Sequence, residues 1–285
     1  MGLLSATFTL AHHVLQLRGV KSRTVEHADG PVHFYDMPGR GPHGTLVLQH
    51  GIGAESLHFA PMLPWLRRSF SRVILPDLPG HGRSAPLSEM TPEALYEGLA
   101  RVLDSAVPEP AVVFGNSLGG AMVMRWALDR PERIRALILA SPAGAQLPTD
   151  QLRAFLDGFA FADKAAVLRF FRQLNPKVRW GSGLFAEDVR ATFARPHMRA
   201  FLAAIRPDHS FTPEEVRGLR PPTLMLWGRS DALMPEEMRS WYRAHLPQGT
   251  PFEEPDGVGH CPQVDRPAWT ARRILSFVQE HAEKT

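Results

Sequence analysis

Ser117 stands in Gly115-Asn116-Ser117-Leu118-Gly119-Gly120, directly after the apolar run Ala111–Phe114. A strand that turns sharply into a helix brings backbone against backbone. Glycines at 115, 119 and 120 remove the side chains that would collide there, and the apex serine is left with an exposed hydroxyl. That hydroxyl is a weak nucleophile until a base takes its proton. Of the 13 histidines, His260 is the candidate base. It closes the small-residue loop Gly257-Val258-Gly259-His260, after the final strand candidate and before the C-terminal helix. Asp231, which follows the run Thr223–Trp227 through Gly228-Arg229-Ser230, is the group to orient the imidazole, with Asp256 and Asp265 as the alternative acids.

A serine that attacks a carbonyl needs donors for the developing oxyanion. The N–H of Leu118 opens the helix Leu118–Leu128, so the positive end of the helix dipole faces any anion beside Ser117. A second donor is the N–H of Ile52 in His50-Gly51-Ile52-Gly53, a glycine-rich loop after the run Thr45–Gln49. His50 reads as structural, bonding loop backbone. Cys261 has no base paired with it and reads as a buried bystander.

These residues need a scaffold. Strand patterns cover Val32–Met37, Thr45–Gln49, Arg72–Pro76, Ala111–Phe114, Ala136–Ala140, Thr223–Trp227 and, more weakly, Phe252–Pro255. Several are continuously apolar, as strands buried on both faces are. Helical patterns separate them. Thr91-Pro92-Glu93 and Thr212-Pro213-Glu214-Glu215 are helix starts, each a cap residue followed by proline, the second with a capping-box glutamate. Strand–helix alternation predicts an α/β fold, with a mostly parallel central sheet and helices on both faces. Ser117, Asp231 and His260 then share the carboxyl edge of that sheet.

The alternation stops between about 145 and 219. Short helical stripes replace it: Leu152, Phe155, Leu156 and Phe159 on one face, and Val167, Phe171 and Leu174 on another. The expected division is a core of residues 1–144 and 220–285, with a helical cap of residues 145–219 inserted between two strands. Nine of the 16 phenylalanines lie between 151 and 211. Most serve the cap's own packing, but a cap above Ser117 also presents an inner face to the substrate. The expected pocket residues are Asn116, Phe155, Phe159 and Phe171, in an apolar tunnel suited to an acyl chain.

Composition narrows the partners. The 285 residues carry a formal net charge of +3, with the basic residues scattered. No like-charge run points to nucleic acid. One cysteine allows no internal disulfide, and no Cys/His cluster suggests a metal or cofactor. No apolar stretch reaches the roughly 18 residues of a membrane span. The N-terminal MGLLSATFTLAHHVLQLRGV lacks the basic start of a signal peptide, so a cytoplasmic location is expected. Leu4, Phe8, Ala11 and Leu15 in it form a helical stripe that docks on its own domain or weakly on a lipid surface. The oligomeric state is left open.

Taken together, His50-Gly51-Ile52-Gly53, Asp77-Leu78-Pro79-Gly80-His81-Gly82-Arg83-Ser84, Gly115 to Gly120, Trp227-Gly228-Arg229-Ser230-Asp231 and Gly259-His260 resemble the α/β-hydrolase superfamily over nearly the whole chain. The chain order Ser117, Asp231, His260 is that of its triad. By that resemblance Asp77–Ser84 is a structural loop under the site. Ser117 excludes the branches that place an aspartate at the elbow. The segment Leu137–Gly144 and the inserted helices resemble carboxylesterases and monoacylglycerol-lipase-like members, which implies a small apolar ester as substrate. Carbon–carbon hydrolases of ring-cleavage products share Gly-Asn-Ser at the elbow. They usually carry tryptophan after the catalytic histidine, where this chain has Cys261, and their loop departs from Ala54-Glu55. A non-catalytic, ligand-binding member is the third reading, although no triad position is missing.

Overall fold

A computed structural model describes residues 2–175, 177 and 181–282. Its centre is one eight-stranded sheet: β1 Lys21–Val25, β2 Val32–Pro38, β3 Thr45–Gln49, β4 Arg72–Pro76, β5 Ala111–Asn116, β6 Ile134–Ala140, β7 Thr223–Leu226 and β8 Phe252–Glu253. The spatial order is β1-β2-β4-β3-β5-β6-β7-β8. The β1–β2 and β2–β4 pairings are antiparallel, and every other pairing is parallel.

The helices are α1 Leu3–Leu17, α2 Leu63–Ser69, α3 Pro92–Ala106, α4 Leu118–Asp129, α5 Thr149–Asp157, α6 Lys164–Leu174, α7 Ala186–Phe193, α8 Pro196–Ala204, α9 Pro213–Arg217, α10 Glu236–His245, α11 Pro262–Asp265 and α12 Pro267–Ala282. Alternation along β5 shows how the sheet divides the core. Val113 points to the side covered by α3, α4 and α10, while Val112 and Phe114 point to the side covered by α1, α2 and α12. Helices therefore cover both faces, and α5 to α9 form a helical insertion between β6 and β7.

Two features differ from the sequence expectation. The edge strand β1, Lys-Ser-Arg-Thr-Val, is almost wholly exposed, so it lacks the apolar signal of a buried strand. Helix α5 ends at Asp157, so Phe159 lies beyond it and not on its face. Leu152 and Leu156 instead join the main core, while Phe159 joins a separate aromatic cluster with Phe170, Phe193 and Met198. On α1, Phe8, Ala11 and Leu15 pack against the core, whereas Leu3, Leu10, Val14 and Leu17 are exposed; the Leu4 side chain lies outside the described residues. Among the described residues no helix is long and apolar enough to cross a membrane.

Candidate active site

Ser117 sits between β5 and α4 with φ 57° and ψ −124°, a left-handed conformation that side chains other than glycine rarely adopt. Such strain costs roughly 1–3 kcal/mol and persists only where the surroundings enforce it. Here the Ser117 N–H donates to the Ala140 carbonyl at 3.0 Å, and the Ser117 carbonyl accepts from Ala121 and Ala143 at 3.1 and 3.0 Å. Gly119 permits the turn, because a Cβ there would lie 2.2 Å from the His50 carbonyl oxygen.

The loop after β3 runs directly beside the serine. A Cβ on Gly51 would lie 2.9 Å from the Ser117 Cβ and 3.5 Å from its hydroxyl oxygen. Ile52 follows on the same cavity wall. Leu118 begins α4, and first-turn N–H groups have no acceptor within their own helix. His50 is buried and braces this loop: its Nδ1–H donates to the Gly51 carbonyl at 2.8 Å, and its Nε2 accepts from the Leu78 N–H at 3.1 Å. Asp77 anchors the loop from below, accepting from His33 Nδ1 at 2.9 Å, Ser56 N at 2.8 Å and Arg83 N at 3.1 Å.

His260 and Asp231 meet at 2.8 Å, Nδ1 to Oδ2, and both are almost completely buried. The other Asp231 oxygen accepts from Leu233 N at 3.0 Å and Met234 N at 3.2 Å. Burial pushes the Asp231 carboxyl up, but the charge and hydrogen bond of His260 and the Met234 N–H outweigh it and hold the group below the usual carboxylate range. An ionised Asp231 accepts only, so Nδ1 must carry the proton and Nε2 is left as an acceptor. The alternative acids are engaged elsewhere. Asp256 pairs with Arg229 at 3.0 Å on the surface, and Asp265 accepts the Gly259 N–H at 2.8 Å.

The insertion holds both loops. The C-terminal carbonyls of α6 lack partners within the helix, and they are taken by the loops that carry His260 and Asp231: Leu174 O accepts from His260 N at 2.7 Å, and Gln173 O from Ala232 N at 3.0 Å. Gly259 allows this approach, since a Cβ there would lie 2.0 Å from the Leu174 carbonyl oxygen. Asn116 adds a second tie. Its Nδ2 donates to Ala140 O at 3.0 Å and to His260 O at 2.9 Å, and its Oδ1 accepts from Gln263 Nε2 at 2.9 Å. The polar atoms of Asn116 thus join the elbow to the histidine loop, although the residue also borders the cavity. The Cys261 thiol is 3.6 Å from the same Asn116 oxygen, and burial pushes its pKa up, so it stays a protonated thiol.

Ser117 and His260 open onto one cavity of about 720 Å³. Phe159 and Phe171 line it together with Phe170, Phe193, Leu174 and Leu233. Phe155 does not; it packs edge-on against Phe159 at 5.4 Å. Phe8 of α1 also reaches the cavity, a residue that sequence reasoning assigned only to docking the N-terminal helix. Among the described residues no cluster of three or more His, Cys, Asp or Glu is placed to hold a metal.

Glu55, just beyond this loop, gives a pH prediction. Burial and the Asp77 carboxylate push its pKa up to about 7 from 4.5, against the opposing pull of Arg83 and Arg195. A raised folded pKa gives stability that is fully present below the unfolded value and lost as pH rises through about 7. Glu55→Gln removes that loss. The variant should melt a few degrees above the parent at about pH 8, with the difference vanishing near pH 4.5. Equal melting temperatures at both pH values would contradict this.

The comparisons with known proteins identify the family of the fold. Residues 46–273 match the family model described as "Alpha/beta hydrolase family". The chain is 31% identical over 262 residues to the pimeloyl-[acyl-carrier protein] methyl ester esterase of Methylococcus capsulatus, covering 86% of this chain and 98% of that relative. It is 29% identical over 268 residues to the 2-hydroxymuconate semialdehyde hydrolase of Pseudomonas sp. (strain CF600), covering 82% of this chain and 87% of that one. The crystal structure of a carboxylesterase from Bacillus subtilis superposes with a TM-score of 0.75 at 22% identity, covering 91% of each chain, a likeness of fold. The chain belongs to the alpha/beta hydrolase family, is similar to a bacterial ester hydrolase within it, and carries a helical insertion between β6 and β7.

Proposed function

We propose that this hydrolytic enzyme of the esterase and lipase type cleaves carboxylic esters with short-to-medium acyl chains, monoacylglycerol-like esters included, through an acyl-enzyme on Ser117. The observation that carries the reading is the His260–Asp231 contact at 2.8 Å, with His260 lining the same apolar cavity as Ser117. Ser117 Oγ adds to the ester carbonyl while its proton passes to His260 Nε2. The oxyanion is held by the N–H groups of Ile52 and Leu118. The leaving alcohol takes the proton from His260 as the C–O bond breaks. Water then repeats the sequence on the acyl-enzyme, releasing the acid and restoring Ser117. In this reading residues 1–144 and 220–285 form the catalytic core, and residues 145–219 form the cap that shapes the acyl site.

The acyl preference follows from the phenylalanine-lined wall. Each methylene buried there contributes roughly 0.8 kcal/mol at best. Across a series from about two to about twelve acyl carbons, kcat/KM should rise and then level or fall as the cavity fills. A flat profile, or best activity on acetate, would remove the acyl-tunnel reading.

One relative favours a second reading. The similarity to a 2-hydroxymuconate semialdehyde hydrolase, with the shared Gly-Asn-Ser, supports carbon–carbon cleavage of a ring-cleavage product. Cys261 after the histidine counts against it. Efficient turnover of a ring-cleavage dienone with poor ester turnover would decide for that branch.

The fifteen residues of α1 contain no Asp, Glu, Lys or Arg, and exposed Leu3, Leu10, Val14 and Leu17 give it an apolar outer side. Weak, reversible association with a lipid surface follows, with the protein otherwise cytoplasmic. Flotation with phosphatidylglycerol vesicles should carry a minor fraction of the protein, and Leu10→Ser/Leu17→Ser should abolish it. No flotation of the parent would end this part of the reading.

A further inference from the structure

The insertion holds a second cavity, of about 420 Å³, on the far side of an aromatic wall from Ser117. Phe159 and Phe193 stack with ring centroids 5.6 Å apart and an interplanar angle of 20°. Both rings line the Ser117 cavity, and both line the second one. The remaining apolar lining comes chiefly from Leu156, Phe161 and Leu202. The charged lining is one-sided: Arg153 of α5, Arg190 of α7 and Arg199 of α8, against the single carboxylate Asp157. Arg190 pairs with Glu187 at 2.9 Å, whereas no ion pair or hydrogen bond engages the Arg153 or Arg199 guanidinium among the described residues.

Guanidinium groups recognise carboxylates through paired N–H donors. An apolar pocket of this size lies within the roughly 300–1,000 Å³ range of small-ligand sites. We propose that this cavity binds an anionic amphiphile, a medium-chain fatty carboxylate, with its head on Arg153 and Arg199 and its chain against the outer faces of Phe159 and Phe193. Such an acid is also the product class of the proposed ester hydrolysis. The choice of ligand rests partly on that reading, but the cavity and its charge do not.

The test needs no turnover. Crystals grown with 10-bromodecanoate should show the bromine by anomalous scattering beside Phe159 and Phe193, with the carboxylate at Arg153 and Arg199. Calorimetry with decanoate should show a site that weakens by about tenfold or more in Arg153→Gln/Arg199→Gln and recovers only in part in Arg153→Lys/Arg199→Lys, which keeps the charge and loses the paired donors, with the melting temperature of each variant checked. Decanol and acetate, lacking the charge and the chain respectively, should bind at least about tenfold more weakly. Bromine found only in the Ser117 cavity, or decanoate binding unchanged in the glutamine variant, would overturn the proposal. In the latter case the arginine stems only cover an apolar floor. Failure of ester turnover with this site intact would count against the function reading and leave the second cavity standing.

Discussion

Ser117→Ala is expected to lower kcat for an aryl ester by about 10³-fold or more while the protein stays folded. The fold should survive because the elbow is held by backbone. Among the described residues the Ser117 N–H donates to the Ala140 carbonyl and the Ser117 carbonyl accepts from Ala121 and Ala143, and these backbone bonds do not depend on the hydroxyl. Alanine meets the same left-handed strain as serine at φ 57°, so the substitution removes the hydroxyl and little else. Any remaining rate should come from the oxyanion donors and substrate binding. Parallel measurement of the circular dichroism spectrum and kcat checks both halves of the expectation. Near-parental turnover would refute the serine's role, whereas loss of fold would leave the Asp231 variant below to carry the test.

Asp231→Asn is expected to cost a comparable factor, about 10³ to 10⁴ in kcat, with little change in KM. The reason is a tautomer. Leu233 and Met234 both donate N–H groups to one oxygen of Asp231. An asparagine must keep its carbonyl oxygen toward those donors, which turns its NH₂ toward His260 Nδ1. The imidazole then has to accept at Nδ1 and carry its proton at Nε2, where it can no longer take one from Ser117. Asp256→Asn should leave kcat within a few-fold, because it removes only an exposed pairing with Arg229. If Asp256→Asn or Asp265→Asn proves the more damaging change, the acid has been misassigned.

The parts legible in the sequence were those with a local signal. Strands β3 and β4 have the bounds that their apolar runs give, because both are buried centrally in the sheet. The positive φ at Ser117 was foreshadowed by the glycines around it. Strand β1 had no such signal: its polar, exposed residues are held by antiparallel pairing to β2, a partner that pattern alone does not reveal. Asn116 shows the other limit. It borders the cavity, but the partners of its amide, Ala140, His260 and Gln263, lie 24, 144 and 147 positions away and leave no local signal. The anchoring of α6 on the loops of Asp231 and His260 was hidden for the same reason. Backbone carbonyls carry no residue signature, and which N–H groups cap them is decided only by tertiary packing.

The central claim is that Ser117 alone becomes acylated. Its most direct test is peptide-level mass spectrometry after exposure to an alkyl fluorophosphonate, with the parent and Ser117→Ala treated in parallel. The prediction is one phosphonyl adduct per chain on the peptide holding Ser117, loss of ester turnover in step with labelling, and no adduct on the alanine variant. An unlabelled parent that still hydrolyses esters, or an adduct at any other residue that tracks the loss of activity, would contradict it.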